Sequence, residues 1–349
     1  MGSNKTTIKD IAAACGVSLM TVSRTLQGKP GVGQDKRREI EKAAETLGYV
    51  PHRMAYALGQ KNSSMTAGVV IPQLSNTIFP TILQNIESTL SPCGYRILLC
   101  CTYDNPIKEF HEISALLERQ VDGIIWSPVL EEDSGKAARL VLEQNCPLVF
   151  LDRMLPSIAA DAVLVDDFAG AYDATRHLLD QGMRRIVHLA PRTESYVARE
   201  RRRGYLAALT DCGVELREDW ILKIGSELQH GREGMNLLLA SGLMPEAVFC
   251  FNDPLAIGAC MTLTANGIAV PEEIAVVGFS ATIETEFAQI PLTSVFQDAV
   301  GLGRNAAEML LSRMINPELK IAPRKKILKT NLIIRQSSVK IPRDTIGVK

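Results

Sequence analysis

The stretch that decides the fold of the N-terminal region is residues 7–27, which read TIKDIAAACGVSLMTVSRTLQ. Thr7 and Asp10 have the spacing of a capping box for a first helix, in which apolar residues recur at helical spacing. Gly16 falls where that helix ends and the chain must take a left-handed turn. Ser18 has the position of an N-cap for a second helix. The stretch therefore predicts a helix–turn–helix, although a helical hairpin with no DNA function could share the caps and the periodicity.

The predicted second helix has two different sides. Val22 and Leu26 form an apolar side, which packs on the first helix. The opposite side carries short or flexible side chains and one cation, as a helix in a major groove requires. Our candidate DNA contacts, weighed against an ordinary solvated surface, are Lys9, Ser18, Leu19, Met20, Thr21, Ser23 and Arg24.

The chemistry of these side chains predicts different roles. Leu19 and Met20 can contact thymine methyl groups or base-pair faces, but they cannot hydrogen-bond a base edge. Arg24 has the length and the planar fork to reach guanine or a phosphate. The three hydroxyl side chains and Lys9 are better suited to phosphates.

The segment resembles the DNA-binding headpiece of the lac repressor family, bacterial regulators that sense small metabolites. The resemblance continues through Val-Ser-Arg at 22–24 and Gly-Tyr-Val-Pro-His-Arg-Met-Ala at 48–55, and on to about residue 338. It implies that Leu19 and Met20 lie where the family sets its base preference. The stretch 76–88 also looks like the gluconate-repressor branch of the family.

A short helix is predicted over 52–60, between two domains, with Pro51 at its first position. It has too few residues to be stable alone in water. The resemblance implies that two such helices of a dimer pair in the minor groove, where each inserts Leu58 into a base step and kinks the DNA. The alternative is that Leu58 packs on the headpiece. The other candidate DNA contacts of this segment are Arg53, Ala55 and Tyr56.

Charge is distributed unevenly along the 349 residues, although the net charge is only −1. Residues 1–64 contain ten Lys and Arg against five Asp and Glu, and the remainder contains 28 against 34. A basic module joined to an acidic one is typical of a protein that binds nucleic-acid phosphates through the basic module alone. We expect a headpiece over 1–50, a hinge over 51–65, an effector-binding and dimerisation domain over 66–338, and a tail over 339–349.

Several classes of protein are disfavoured by the sequence. The eight cysteines lack metal-ligand spacing and are expected to be buried thiols in a reducing cytosol. The N-terminus lacks the apolar core of a signal peptide, and no apolar run is long enough for a membrane span. Neither a nucleotide-binding fingerprint nor a catalytic motif follows a strand. We expect a cytoplasmic protein without a cofactor, a metal or an enzymatic activity.

From residue 66 onward, strand-like runs alternate with amphipathic segments of about 10–16 residues, which is typical of doubly wound parallel sheets. Roughly ten strands exceed one comfortable open sheet, so we expect two α/β subdomains. We place the first at 66–164 plus 295–322 and the second at 165–294 plus 323–338. The runs read as strands are 68–71, 96–101, 123–126, 147–151, 162–165, 186–189, 220–224, 247–251 and 274–279.

Such folds bind ligands beyond the carboxyl ends of their strands. The resemblance independently implies an effector cleft there, between two periplasmic-binding-protein-like lobes, and implies that Arg201, three residues before Gly204, grips the ligand. Asp253 is expected to cap a helix. Ile78 and Phe79 form an apolar wall or belong to ordinary core. The candidate effector contacts are Ile78, Phe79, Asp152, Arg201, Asn252, Ser280 and Gln297, the last just after a strand near the third crossover.

One departure from the family pattern bears on the ligand. Many sugar-binding members carry aspartate after Gly-Tyr or Gly-Phe, whereas Gly278-Phe279 is followed here by Ser280. The absence of that carboxylate removes a repulsion toward an acidic ligand. A buried Arg201 would need a ligand or Asp152 as its partner. We therefore favour a sugar acid over a neutral sugar.

The sequence predicts a transcription regulator that binds a pseudo-palindromic operator as a homodimer and responds to a small metabolite. The segment after about 336 has no leucine heptads, so a dimer rather than a tetramer is expected. A sugar-binding protein of the transport type would need a signal peptide and would lack residues 1–64. A metabolic enzyme would show a nucleophile, a metal site or a nucleotide motif.

Overall fold

The computed structural model describes residues 7–26, 30–47, 63–316 and 322–339. The chain divides into two compact units whose boundary falls between Ser64 and Met65. The predicted hinge helix lies outside the described residues. So do the four candidate DNA contacts in it, which are Arg53, Ala55, Tyr56 and Leu58.

The described part of the smaller unit contains three helices, α1 (Ile8–Cys15), α2 (Leu19–Leu26) and α3 (Gln34–Thr46). The predicted capping box is present, since the backbone N–H of Thr7 donates to Asp10 Oδ2 at 2.7 Å. Gly16 ends α1 in the left-handed conformation, with φ 61°. The three helices close over a small core that includes Ile11, Val22 and Ile40. The predicted helix–turn–helix is confirmed.

The described part of the larger unit contains twelve strands and nine α-helices. In chain order they are β1 (Thr66–Ile71), α4 (Ile78–Leu90), β2 (Arg96–Cys101), α5 (Pro106–Glu118), β3 (Gly123–Trp126), α6 (Glu131–Glu143), β4 (Leu148–Leu151), β5 (Asp161–Val165), α7 (Asp167–Asp180), β6 (Ile186–Pro191), α8 (Tyr196–Asp211), β7 (Ile221–Ile224), α9 (Leu228–Ala240), β8 (Ala247–Cys250), α10 (Asp253–Ala265), β9 (Ala275–Ser280), α11 (Glu284–Phe287), β10 (Thr293–Phe296), α12 (Ala299–Ile315), β11 (Lys325–Leu328) and β12 (Asn331–Ile333).

These elements form two α/β lobes, each built on a six-stranded sheet. The N-lobe sheet has the order β11-β5-β4-β3-β1-β2 and is parallel throughout. The C-lobe sheet has the order β12-β10-β9-β8-β6-β7, in which only β12 runs antiparallel to its neighbour. Apolar clusters cover both faces of each sheet, which explains the continuous apolar runs of the strands.

The chain crosses between the lobes three times in the described residues, after β5, after β10 and after β11. The last crossing therefore lies beyond Leu328 rather than at 322, because β11 pairs with β5 in the N lobe. β10 belongs to the C lobe, so the second crossing follows Phe296 rather than 294. Gln297 lies at this second crossing and not at the third. None of the described helices is long and apolar enough to traverse a lipid bilayer.

Candidate functional site

The exposed side of α2 is the one that the sequence indicated. Leu19 and Met20 are exposed by 43% and 69%, whereas Val22 is fully buried. Arg24 is exposed, and Leu26 packs against the small core. The helix therefore presents two large apolar side chains and one guanidinium to solvent, which is the surface that contact with a major groove requires.

The start of α2 is fixed by its own hydroxyl side chains. Ser18 Oγ accepts from the Thr21 backbone N–H at 3.1 Å and lies 2.9 Å from Thr21 Oγ1. Ser18 is thus the N-cap that the sequence indicated, and it is exposed, as is Lys9 on α1. Ser23 is half-buried. The contacts of these residues with DNA remain predictions.

Four candidate effector contacts come together where the two lobes meet. Asp152 directly follows β4 of the N lobe, and Ser280 ends β9 of the C lobe. Gln297 lies at the second crossing, and Arg201 lies on α8. All four are buried. With Asp167, described next, they form what we call the interlobe site.

Arg201 is held by the protein itself. Its Nε donates to Asp167 Oδ1 at 2.8 Å, and its Nη1 donates to the carbonyl oxygen of Phe251 at 2.7 Å. Its Nη2 is 3.4 Å from Gln297 Oε1. The guanidinium also lies over the Phe279 ring, with Cζ 3.7 Å from the ring centroid. The expectation that only a ligand or Asp152 could satisfy Arg201 is therefore wrong, because Asp167 is its partner.

Gly204 explains why Arg201 reaches Asp167. A Cβ at Gly204 would lie 2.3 Å from the carbonyl oxygen of Phe168 and 2.8 Å from the backbone nitrogen of Tyr172, both on α7. Only glycine permits this approach of α8 to α7. Residues three apart share one face of a helix, so the same approach brings Arg201 onto the first turn of α7.

Ser280 and Gln297 connect the rest of the interlobe site. Ser280 Oγ donates to Gln297 Oε1 at 2.8 Å. Asp152 has a left-handed backbone with φ 63°, and Ser280 has φ 125°. Non-glycine residues in these regions are strained, and such residues concentrate at ligand sites and switch regions. The strain is consistent with a functional role for both positions.

The carboxyl groups of the interlobe site have raised pKa values. Burial raises the pKa of Asp167 to about 7, although Arg201 opposes the shift. Burial also raises the pKa of Asp152, against the effects of Arg201, Arg153 and Gln297. Arg153 is itself paired with Asp104, at 2.6 Å between Nη1 and Oδ1. The site is thus a chain of buried opposite charges that extends from one lobe into the other.

The structure gives Asn252 the capping role that was expected of Asp253. Asn252 is the N-cap of α10, because its Oδ1 accepts from the Leu255 backbone N–H at 3.1 Å. Its Nδ2 donates to the carbonyl oxygen of Ser226 at 2.8 Å. Asp253 instead accepts from Ser294 Oγ and from the Thr282 backbone N–H, at 2.5 and 2.9 Å. The prediction that Asp253 caps the helix is wrong, since the preceding residue has the extended backbone that a cap requires.

Ile78 and Phe79 lie in the apolar cluster of the N lobe, so their burial supports the core alternative that the sequence left open. Nearby side chains do join the lobes. Thr77 Oγ1 of the N lobe donates to Glu284 Oε2 of the C lobe at 2.9 Å. Arg199 on α8 pairs with Glu131 on α6 at 3.1 Å. In the part of the chain that the structure describes, no cluster of His, Cys, Asp and Glu is arranged to hold a metal ion.

Asp167 is the functional candidate that the sequence analysis missed. The available signal was the pair Asp166-Asp167, which directly follows β5 and so satisfies the rule for carboxyl ends of strands. Asp166 caps α7, with its Oδ1 3.0 Å from the Ala169 backbone nitrogen. The cap accounts for one aspartate and leaves the second without a local role.

Comparison with known proteins gives the assignment. The model of the lacI family of bacterial regulatory proteins matches residues 7–52, and that of a periplasmic binding protein-like domain matches residues 175–338. The HTH-type transcriptional regulator DegA of Bacillus subtilis (strain 168) is 32% identical over 335 residues, which are 96% of this chain and 98% of that protein. The chain belongs to the lacI family of bacterial regulatory proteins.

Solved structures agree with this assignment over nearly the whole chain. The lac repressor dimer bound to operator and the anti-inducer ONPF has a TM-score of 0.84 and 25% identity, and the match covers 97% of this chain and 100% of that one. The complex of the transcriptional regulator CelR with cellobiose has a TM-score of 0.72 and 28% identity, over 95% and 100% of the two chains. As a lacI-family member, the protein is a cytoplasmic DNA-binding transcriptional regulator and not an enzyme. The leaning toward the gluconate-repressor branch stays a prediction.

Proposed function

We propose that the protein is a homodimeric repressor whose affinity for a pseudo-palindromic operator is controlled by a sugar or sugar acid bound at the interlobe site. The observation that carries the proposal is the interlobe site itself. Both lobes contribute buried polar groups to one place, at the carboxyl ends of their strands. Packing alone gives no reason to bury so many charges, because each costs desolvation free energy.

The location of the site supports control by lobe movement. Asp167 and Gln297 lie at the first two crossings between the lobes, and the pairs Thr77–Glu284 and Arg199–Glu131 connect the lobes directly. A ligand that binds both lobes favours one arrangement of the lobes over another. Operator affinity changes if the two arrangements differ in how they place the DNA-binding segments, which is all that allostery requires.

A surface of the C lobe supports the dimer. Phe287 is exposed by 81% and Ile283 by 62%, close in sequence to residues that line a cavity of about 230 Å³ between α10 and the segment 288–292. A two-fold contact uses each patch twice, so a protruding apolar side chain and an apolar cavity on one lobe suit a second copy of the chain. The similar lac repressor structure is also that of a dimer, which supports a dimeric state for this chain.

The dimer surface can be tested with two charge substitutions. Phe287→Asp should raise the dissociation constant of the full-length dimer at least tenfold in sedimentation experiments, because it places a carboxylate in an apolar contact. Leu237→Asp is the matched control, since Leu237 is 61% exposed on α9 and is not among the residues that line the cavity. Equal dissociation constants for the two variants would contradict the proposed surface.

Operator binding is tested by selection from a randomised DNA library. The wild-type protein should enrich a site made of two inverted half-sites, as the two-fold symmetry of a dimer requires. Leu58→Ala should weaken binding to that site and reduce DNA bending, as the predicted hinge helix implies. No enrichment, or enrichment of a single half-site, would contradict the proposal.

A further inference from the structure

Each of the three nitrogen atoms of Arg201 already has a partner within the protein. Nε, Nη1 and Nη2 face Asp167, the Phe251 carbonyl oxygen and Gln297, at 2.8, 2.7 and 3.4 Å. The ring of Phe279 covers one face of the guanidinium. A ligand carboxylate needs two parallel N–H donors for a bidentate pair. Asp167 and Gln297 already hold the Nε–Nη2 edge of the guanidinium, so a ligand carboxylate on that edge would have to displace the buried Asp167.

The balance of charge at the interlobe site also disfavours an anion. The network contains two buried guanidinium groups, those of Arg153 and Arg201, against the buried carboxyl groups of Asp152 and Asp167 and the half-buried carboxylate of Asp104. Burial raises the pKa of both Asp152 and Asp167, so this region disfavours further negative charge. A further carboxylate brought into this low-dielectric region would be repelled.

Three polar atoms of the network point to the chemistry of the ligand. Among the described residues, Asp167 Oδ2, Arg153 Nε and Gln297 Nε2 are buried atoms for which the structure gives no hydrogen-bond partner. The first is an acceptor and the other two are donors, and a hydroxyl group can serve any of them. An unpaired buried polar group costs free energy, so such groups are usually hydrogen-bonded. A compound with several hydroxyl groups and no charge fits all three atoms.

We propose that Asp167 determines the charge selectivity of the interlobe site, because it occupies Arg201 and so restricts the effector to neutral polyhydroxyl compounds. This inference rests on the proposed function, in which the effector binds at this site. It reverses the preference for a sugar acid, which depended on the absence of a carboxylate at Ser280. The carboxylate missing at the end of β9 is supplied by Asp167 at the first crossing between the lobes.

The test uses the full-length protein and the substitution Asp167→Asn, which keeps the shape of the side chain and removes its charge. Acetate and gluconate are the anionic probes, compared with chloride at equal ionic strength by thermal shift. With Arg201 released from its ion pair, Asp167→Asn should bind both carboxylates at least tenfold more tightly than the wild type does. Asp166→Asn is the matched control, since it removes a charge one residue away, where the side chain is exposed and an amide can still cap α7. The control Asp166→Asn should bind acetate and gluconate no more tightly than the wild type does.

The outcomes separate the selectivity of the site from its regulatory role. The proposal is overturned if wild type and Asp167→Asn bind the carboxylates equally, or if Asp166→Asn gains as much as Asp167→Asn. If Asp167→Asn does not fold, Asp167→Ser removes the same charge with a smaller side chain and is judged by the same criterion. The regulatory role is tested separately, with a neutral polyhydroxyl compound bound to the wild type. If that compound leaves operator affinity unchanged, the proposed function is contradicted and the selectivity stays intact.

Discussion

The recognition helix α2 and the interlobe site each present one central arginine, in opposite surroundings. Arg24 is exposed beside the apolar side chains of Leu19 and Met20. Arg201 is 3% exposed and paired with Asp167. An exposed arginine that binds DNA stays hydrated in the free protein, so it costs little folding free energy. An arginine buried between two lobes must find its hydrogen-bond partners within the protein. We therefore expect function and stability to be separable at α2 and coupled at the interlobe site.

The largest effect is expected for Arg201→Ala. The substitution leaves Asp167 buried without its cation, which should lower the free energy of unfolding by about 3–5 kcal/mol. Arg203→Ala on the same helix is the control, because Arg203 is 64% exposed in its pair with Glu200 and such pairs contribute about 0–1 kcal/mol. Urea unfolding measures both. If Arg201→Ala lowered the free energy of unfolding by less than about 1 kcal/mol, Arg201 would matter as little for stability as the exposed residues of α2, and the contrast between the two regions would be wrong.

A smaller effect is expected for Gly204→Ala, which tests how the interlobe site is assembled. The added Cβ would contact the α7 backbone and push α8 away, at a cost of about 1–3 kcal/mol in unfolding free energy. Gly135→Ala on α6 is the control, since its Cβ would meet only the end of the Arg139 side chain, at 3.8 Å. The control should be neutral or more stable by up to about 1 kcal/mol, because alanine favours a helix. Equal stability of the two variants would contradict the assembly described here.

Arg24→Ala tests the other side of the comparison. Operator binding should weaken by about 1–3 kcal/mol if Arg24 reads a base, and specificity should relax at one position. Unfolding free energy should change by less than about 0.5 kcal/mol, since the side chain is exposed. If Arg24 holds a phosphate instead, all DNA sequences should lose affinity alike. A variant that binds the selected operator as well as wild type does would remove Arg24 from the interface.

The smallest expected effect concerns pH and the buried His188 of β6. Burial lowers its pKa to about 4, below the usual 6.5. The unfolded chain then binds more protons than the folded one between these values, so stability is lost as the pH falls below about 6.5. His188→Phe should reduce the loss of unfolding free energy between pH 7 and pH 5 by about 1–2 kcal/mol. An unchanged pH dependence would mean that His188 titrates normally.

The helix–turn–helix and the interlobe site also differ in how much of each could be predicted from the sequence. The capping box of Thr7 and Asp10, the turn at Gly16 and the faces of α2 depend on neighbours within a few residues, and all were predicted correctly. The interlobe site joins residues from 152 to 297, and its key pair depends on the packing of α8 against α7. No local pattern reports which carboxylate Arg201 meets, so Asp167 was missed although Arg201 was found.

Among the strands, too, those with a local sequence pattern were predicted and those that depend on tertiary pairing were not. The nine predicted strands are apolar runs of strand length, and most of them are buried in the two sheets, whereas the edge strands β2 and β7 are partly exposed. Three strands are not among the nine predicted runs. β10 was implied only as the strand before Gln297. β11, with the sequence Lys-Lys-Ile-Leu, and the short β12 were missed because only their pairing with β5 and β10 makes them strands. The crossing points between the lobes depend on this pairing, and their predicted positions were displaced for that reason.

The most direct test of the account is the operator affinity of the wild-type protein with and without the neutral polyhydroxyl compound that most raises its melting temperature in a ligand screen. The account predicts a change of about 5- to 150-fold, the usual range of an allosteric coupling. In Arg201→Gln, the same compound should leave operator affinity unchanged. An operator affinity that does not respond to the bound compound in the wild type would contradict the claim that the interlobe site controls DNA binding.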